Sequence, residues 1–355
     1  MGATEFATSS PQAVKRWSNE LAFETFGEMW FKKLIGRGPN SCVQMVPDLE
    51  SMAGDEVKYD LLIQDRSDGV QGDAELEGFE TELTLYQDSV KIDQLRHGHA
   101  WRKMSQQRTV HNMRTLSKQS LAKWYAWKYD TMLMAYLAGT AGGDLENAAG
   151  TIGASGFAGN ALRTPDSDHA VTRAGTFTLQ MIDVCVSRAK TLNPRMRPIK
   201  VDGQEKFLLI LHPYAAYSLR TETGERAWQL IHARVAEGGS KNPIYTGALG
   251  EYNGVVIHES EFVPRASSAT TAQNTYNLFL GAQAGVFAMG NAYDKEDSGK
   301  MEGGSYFSWN EEYKDYKNRK GVGVASTFGI QKCQFNGVDF GVLRVTSQEA
   351  QPTVS

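Results

Sequence analysis

The sequence predicts a mixed α+β protein, and three features predict it. Met104–Ala138 carries Val110, Met113, Leu116, Trp124, Trp127, Thr131, Met134 and Leu137 at helical spacing, with no proline or glycine inside. The last fifty residues alternate apolar and polar side chains like strands, punctuated by Gly321, Gly323, Gly329, Gly337 and Gly341. Two further strand-like runs, Val57–Leu61 and Leu83–Tyr86 with its continuation Val90–Ile92, enclose the acidic, glycine-rich stretch SDGVQGDAELEGFE.

Length and composition narrow the class. A chain of 355 residues is too long for one small core and fits two or more compact units. Its 41% hydrophobic and 22% charged content is that of a folded globular protein. A net charge of −4 gives no global basic field for nucleic acid. Cys42, Cys185 and Cys333 are far apart, odd in number and without C-x-x-C, which excludes a cysteine-rich zinc site and argues against a disulfide framework. A reducing compartment fits. Met1–Pro11 has no apolar core, so no signal peptide is expected, and no apolar run approaches the ~18 residues of a membrane span. Met1-Gly2 has the start of a myristoylation signal, but Phe6 stands where it needs Ser or Thr.

The elements follow from local signals. Ser10-Pro11 is a helix start, and Val14, Trp17, Leu21 and Met29 extend the pattern to about Leu34 before Gly36, Gly38 and Pro39 end it. Two readings stay open: an amphipathic arm laid on another surface, or the packed first helix of a globular unit. The two acidic-stretch strands form a long hairpin with a polar tip. An isolated hairpin is marginal in water, so this one needs a surface to lie on. The 35 residues of Met104–Ala138 give a rod of roughly 50 Å. Gly139 and the glycine-rich run after it form a loop. A helix follows at Phe177–Leu192, then a buried strand Phe207–Leu211, helices from Tyr214 and over Glu225–Glu237, and strands at Gly254–His258 and Tyr276–Leu280.

Candidate chemistry is thin. His97 and His99 share one strand face, as metal ligands do, but no further ligands stand at suitable spacing. Asp166–His169 resembles a hydrolase fragment without a nucleophile elbow. Gly150–Gly156 lacks the lysine of a phosphate loop and follows a helix, not a strand. Glu311–Glu312, Glu259 and Glu261 read as exposed loop acids before they read as general acids or bases. Trp124, Tyr125, Trp127 and Tyr129 beside Lys123 and Lys128 would suit base stacking, but positions 124 and 127 share a helix face, which favours a core or interface stripe. The expectation is no catalytic residue, no cofactor and no metal.

Charge is unevenly distributed. Residues 54–93 hold twelve acidic and three basic side chains, a net of −9. Residues 96–128 hold eight basic side chains and no acidic one, a net of +8.

The order of elements resembles the tailed-phage major capsid fold known as Hong Kong 97. The stretches PQAVKRWSNEL, GVQGDAELEGFETEL, DSVKIDQLRHGHAWR, LFLGAQAGVFAMG and EEYKDYKNRKGVGVASTFGIQKCQFNGVDFGVL are similar to the N-four-type family of phage major capsid proteins, from about Pro11 to Val345. The resemblance implies an N-terminal arm (1–52), an extended loop overlapping a neighbouring subunit (53–82), and a peripheral domain (83–199) with spine helix 104–138. It further implies an axial domain (200–300), then C-terminal strands returning through both domains (301–355). It implies a structural protein, not an enzyme: a subunit of hexameric and pentameric capsomers in an icosahedral virion shell around double-stranded DNA, bound without sequence specificity and without a membrane. Portal and decoration proteins, and a scaffold separate from this chain, are the implied partners, with assembly in the bacterial host cytoplasm. An encapsulin-like compartment shell shares the fold and is the alternative; an unrecognised cytosolic α/β enzyme is the third reading.

Overall fold

A computed structural model describes residues 11–49, 56–61, 70–73, 75, 77, 86–139, 170–172, 175–192, 194–201, 203–222, 250–265, 272–290 and 306–352. The chain begins with α1 (Pro11–Glu28), a 3-10 turn (Trp30–Lys33), β1 (Ile35–Gly36) and β2 (Val43–Leu49). Next come β3 (Glu56–Leu61), β4 (Tyr86–Lys91), β5 (Asp93–Arg102), α2 (Lys103–Arg108) and α3 (Met113–Ala138). The middle holds β6 (Ala170–Thr172), α4 (Leu179–Thr191), β7 (Ile199–Val201), β8 (Gln204–Leu211) and α5 (Pro213–Thr221). Then follow β9 (Gly250–Tyr252), β10 (Val255–Glu259), β11 (Ala272–Leu280) and β12 (Gly285–Gly290). The last strands are β13 (Phe307–Lys314), β14 (Arg319–Lys332), β15 (Gln334–Phe335), β16 (Val338–Asp339) and β17 (Val342–Ala350). The chain is therefore α+β, as the sequence predicts.

Two sheets organise these strands. The first runs β1-β2-β12-β14-β13, with β5 also paired to β14. The second runs β6-β17-β11-β8-β10-β9, with β7 on β8. α3 covers the first sheet and buries Leu121, Tyr125, Tyr129 and Leu133 on it, a strict i, i+4 row. α4 and α5 cover the second through Ile182, Cys185, Ala215 and Leu219. The closing strands knit the two together, because β14 lies in the first sheet and β17 in the second. The turn between them needs a glycine: a Cβ at Gly341 would stand 2.7 Å from the Ala282 carbonyl oxygen. The β15–β16 hairpin turns at Asn336-Gly337, both at positive φ (50° and 80°), as a tight two-residue turn demands.

Several expectations need correction. The helix expected over 104–138 is two helices. α2 ends at Arg108, and Asn112 caps α3 by accepting a hydrogen bond from the Arg114 N–H at 3.0 Å. α3 is thus 26 residues, roughly 39 Å rather than 50 Å. Its buried face is also rotated from the expected stripe. Val110 is fully exposed in the break, Leu116 is exposed, and Trp124 and Trp127 are only half-buried. The first helix stops at Glu28, and the 3-10 turn takes over. α4 buries its apolar side with β8, β10 and α5. The hairpin base forms as expected, with β3 antiparallel to β4 and Val57 opposite Val90. Its excursion lies largely outside the described residues, as do Gly150–Gly156, Asp166–His169 and the expected helix Glu225–Glu237.

Candidate functional site

The residues with the best chemical credentials are tied into the fold. Glu311 accepts from Trp309 Nε1 at 2.9 Å and pairs with Arg114 at 2.5 Å and Lys320 at 3.0 Å. Glu259 pairs with Arg220. The His97 and His99 rings lie 5.4 Å apart, and His97 stacks on Trp124 at 4.1 Å. Burial, then the neighbouring His99, lowers the His97 pKa, so it is neutral at neutral pH. Among the described residues no group of three His, Cys, Asp or Glu is placed to hold a metal. All three cysteines are buried, and burial pushes the Cys42 and Cys185 thiols up to about 12. They are not thiolates at neutral pH. No described helix is long and apolar enough to cross a membrane.

A cleft of about 800 Å³ lies between the 3-10 turn and the β8–β10 edge, lined by Trp30, Leu34, Phe207 and His258 among others. Its acid, Glu251, is held by Lys206 at 2.8 Å. The lining pairs no acid with a base poised for proton transfer.

One functional residue went unread in the sequence. Asp130, on α3, accepts hydrogen bonds from the Trp30 and Phe31 N–H groups at 2.8 and 3.2 Å and so caps the 3-10 turn. Burial pushes its carboxyl up to about 6, against the pull of those two donors. Lys118 adds pairs to Glu20 at 3.0 Å and Glu24 at 2.7 Å. The described side chains of the first helix are therefore packed on α3. Only the capping distance, a hundred residues in sequence, hid Asp130 from a local search.

The basic run 96–128 separates into two sets. Lys118 and Arg114 are internal, and Lys128 sits 5.7 Å over the Trp127 ring. Arg96, Arg102, Lys103, Arg108 and Lys123 are exposed. The β13–β14 hairpin adds Lys314, Lys317 and Arg319 beside them. The β5–β14–β13 register is informative. Arg102 lies opposite Arg319, and Arg319 opposite Lys314, so three cations form one row across three strands. The next rows on that face are Ala100, Gly321 and Glu312, then Gly98, Gly323 and Asn310. Arg96 follows beside Ala325. The face turned from α3 thus carries short side chains between the cation row and Arg96, exposed at Ala100, Gly98 and Asn310 and buried at Ala325 and Ser308.

Comparison with known proteins places this architecture. A family model described as phage capsid protein matches residues 5–350. The major capsid protein of Pseudomonas phage KPP25 is 27% identical across 96% of both chains. The capsid of Ralstonia phage GP4 matches over 100% of both chains, with 29% identity and a TM-score of 0.79. The capsid of cyanophage Pam1 has the same fold, with a TM-score of 0.67 at 20% identity over 99% of this chain and 97% of that one. The fold is Hong Kong 97-like, and this chain belongs to the phage capsid protein family.

Proposed function

We propose that this protein is the major capsid subunit of a phage in the N-four-type group, and that it builds hexameric and pentameric capsomers of an icosahedral shell around double-stranded DNA. The observation that carries the reading is the family match across residues 5–350, supported by a capsid chain aligned over its whole length. The family is one of structural proteins, and the tied-off state of Glu311, Asp130 and the thiols accords with a chain whose product is a shape. In this reading α3 is the spine helix, the first sheet belongs to the peripheral domain, and the second sheet with α4 and α5 belongs to the axial domain. The β3–β4 hairpin is the root of the extended loop.

Purified native particles test it. Electron microscopy should show closed shells with this chain as their main protein, and nuclease treatment should leave protected double-stranded DNA inside. Small closed oligomers, or shells holding protein cargo and no DNA, would overturn it.

A further inference from the structure

The cleft between the 3-10 turn and the second sheet is a space that the subunit does not fill. Its volume is about 800 Å³, the size of a site for a small organic molecule. One wall is the 3-10 turn with β1, through Trp30, Leu34 and Ile35. The other is β7, β8 and β10, through Ile199, Phe207 and Val256. Both walls are held in place from behind. Asp130 accepts from the Trp30 and Phe31 N–H groups at 2.8 and 3.2 Å, and β8 carries β7 on one side and β10 on the other. Leu34, Ile35, Ile199 and Val256 are each only half-buried. Protein interiors close-pack with few voids larger than a water molecule, and apolar surface left in water is unfavourable. Four aliphatic side chains lining both walls of one open cleft leave burial still to be gained by whatever enters.

The charges say what enters. The one acid in the lining, Glu251, is held by Lys206 at 2.8 Å. Lys33, at the end of the 3-10 turn, and Lys200, in β7, bring one cation to each wall, and both are exposed. Among the described residues no acid pairs with either. With histidine counted neutral, the lining holds three lysines and one glutamate, a surplus of two positive charges beside an apolar floor. A cation is repelled there, and a sugar finds too few polar partners along the walls. An apolar body with an anionic head matches both features. The lining is mostly aliphatic. Trp30 is already met edge-on by Phe31 and His258, with ring centroids at 5.1 and 6.0 Å. A flexible chain therefore suits the cleft better than a flat ring.

We propose that this cleft binds an amphipathic carboxylate, a straight acyl chain with one acid group. The chain lies between Leu34 and Ile35 on one wall and Ile199 and Val256 on the other. Its carboxylate sits at the Lys33 and Lys200 ammonium groups. The walls belong to different sheets, since β1 leads the first and β7 pairs with β8 in the second. A bound chain therefore ties the two sheets together, and occupancy stabilises the folded subunit over the unfolded chain.

The test uses the full-length chain, titration calorimetry and melting temperature, with three probes kept below their micelle concentrations: dodecanoate, dodecanol and dodecyltrimethylammonium. Dodecanoate should bind saturably and raise the melting temperature. Dodecanol should bind more weakly, and dodecyltrimethylammonium not at all. Lengthening the acid from octanoate to dodecanoate should tighten binding by up to about fourfold per buried methylene. Lys33→Glu with Lys200→Glu changes two exposed side chains, so without ligand it should melt like wild type. It should bind dodecanoate about tenfold more weakly and should now take dodecyltrimethylammonium. No binding of dodecanoate, equal binding of the three probes, or unchanged dodecanoate affinity in the double variant would overturn the site. A double variant that melts lower without ligand would assign the lysines to the fold and overturn it too. Each of those results would leave the capsid reading intact, because that reading fails on the contents and shape of native particles.

Discussion

Toward α3, the β5–β14–β13 sheet turns Trp101, Val322, Val324, Phe307 and Trp309, all within one core. On its other side the same three strands turn Gly98, Ala100, Gly321, Gly323 and Arg319 outward. Alternation along a strand separates the two sets by single residues. The contrast teaches that burial and bareness are written into one stretch of sequence for different purposes. The covered face specifies the fold. The other face costs the subunit something in glycine entropy and cation repulsion.

The covered face should break hardest. Tyr129 is fully buried among Phe287, Phe307 and Phe328, and its hydroxyl meets Ser326 Oγ at 2.6 Å. Tyr129→Ala leaves a ring-sized void and an unpaired hydroxyl partner, so a loss of about 3–5 kcal/mol is expected. Urea unfolding would read it, and the soluble fraction on expression should collapse.

The next effect sharpens a second contrast along β14, which starts at the exposed Arg319 and ends at the fully buried Lys332. Lys332 Nζ lies 2.9 and 3.0 Å from the two oxygens of Asp339, which also accepts from Gln334 Nε2. Lys332→Met strands a buried carboxylate and should cost about 3 kcal/mol. The double variant Lys332→Met with Asp339→Leu removes both charges and should recover most of that loss. Equal losses in single and double variants would mean that packing, not charge pairing, sets the cost.

The third effect concerns Asp130, which holds the 3-10 turn on α3. Asp130→Ala leaves two N–H groups without their acceptor and should cost about 1–3 kcal/mol. The pH dependence has a definite sign. Burial raises the folded carboxyl to about 6, above the usual carboxylate value, so the folded state holds its proton more tightly than the unfolded chain. The stability it contributes is present below about pH 4 and is lost as pH rises toward about 6. Asp130→Asn lacks that slope. Its stability relative to wild type should therefore rise by about 1–2 kcal/mol between pH 4 and pH 6. A constant difference across that window would show that Asp130 titrates normally.

These residues also mark what was legible in the sequence. Period-two strands, the hairpin base and the existence of a long helix were readable because their signals are local. The break before α3 was missed because the chain leaves α2 at Thr109 and Asn112 caps α3 with no proline or glycine between them to announce it. The tryptophans at 124 and 127 drew the buried stripe to the wrong side, because size was weighed above the tyrosine row at 125 and 129. The charge asymmetry was visible, but its partition was not. Only pairing partners 200 residues away could show that Arg114 turns inward to Glu311 while Arg102 joins Arg319 in the row outside.

The smallest effect probes the bare face in the isolated subunit. Arg319 stands between Lys314 and Arg102 at neighbouring-strand distance, where like charges repel. Replacing the middle member, Arg319→Gln, should relieve both contacts while losing little packing, since the side chain is exposed. The expected gain is a rise in melting temperature of about a degree. Screening gives the gain its signature. The Debye length is about 30 Å at 0.01 M salt and about 3 Å at 1 M, so the advantage should be largest in dilute buffer and gone at the higher concentration. A gain in stability that fades with screening would show that the three cations repel one another in the folded subunit. A salt-independent fall in melting temperature would show that Arg319 serves the fold of its own subunit instead.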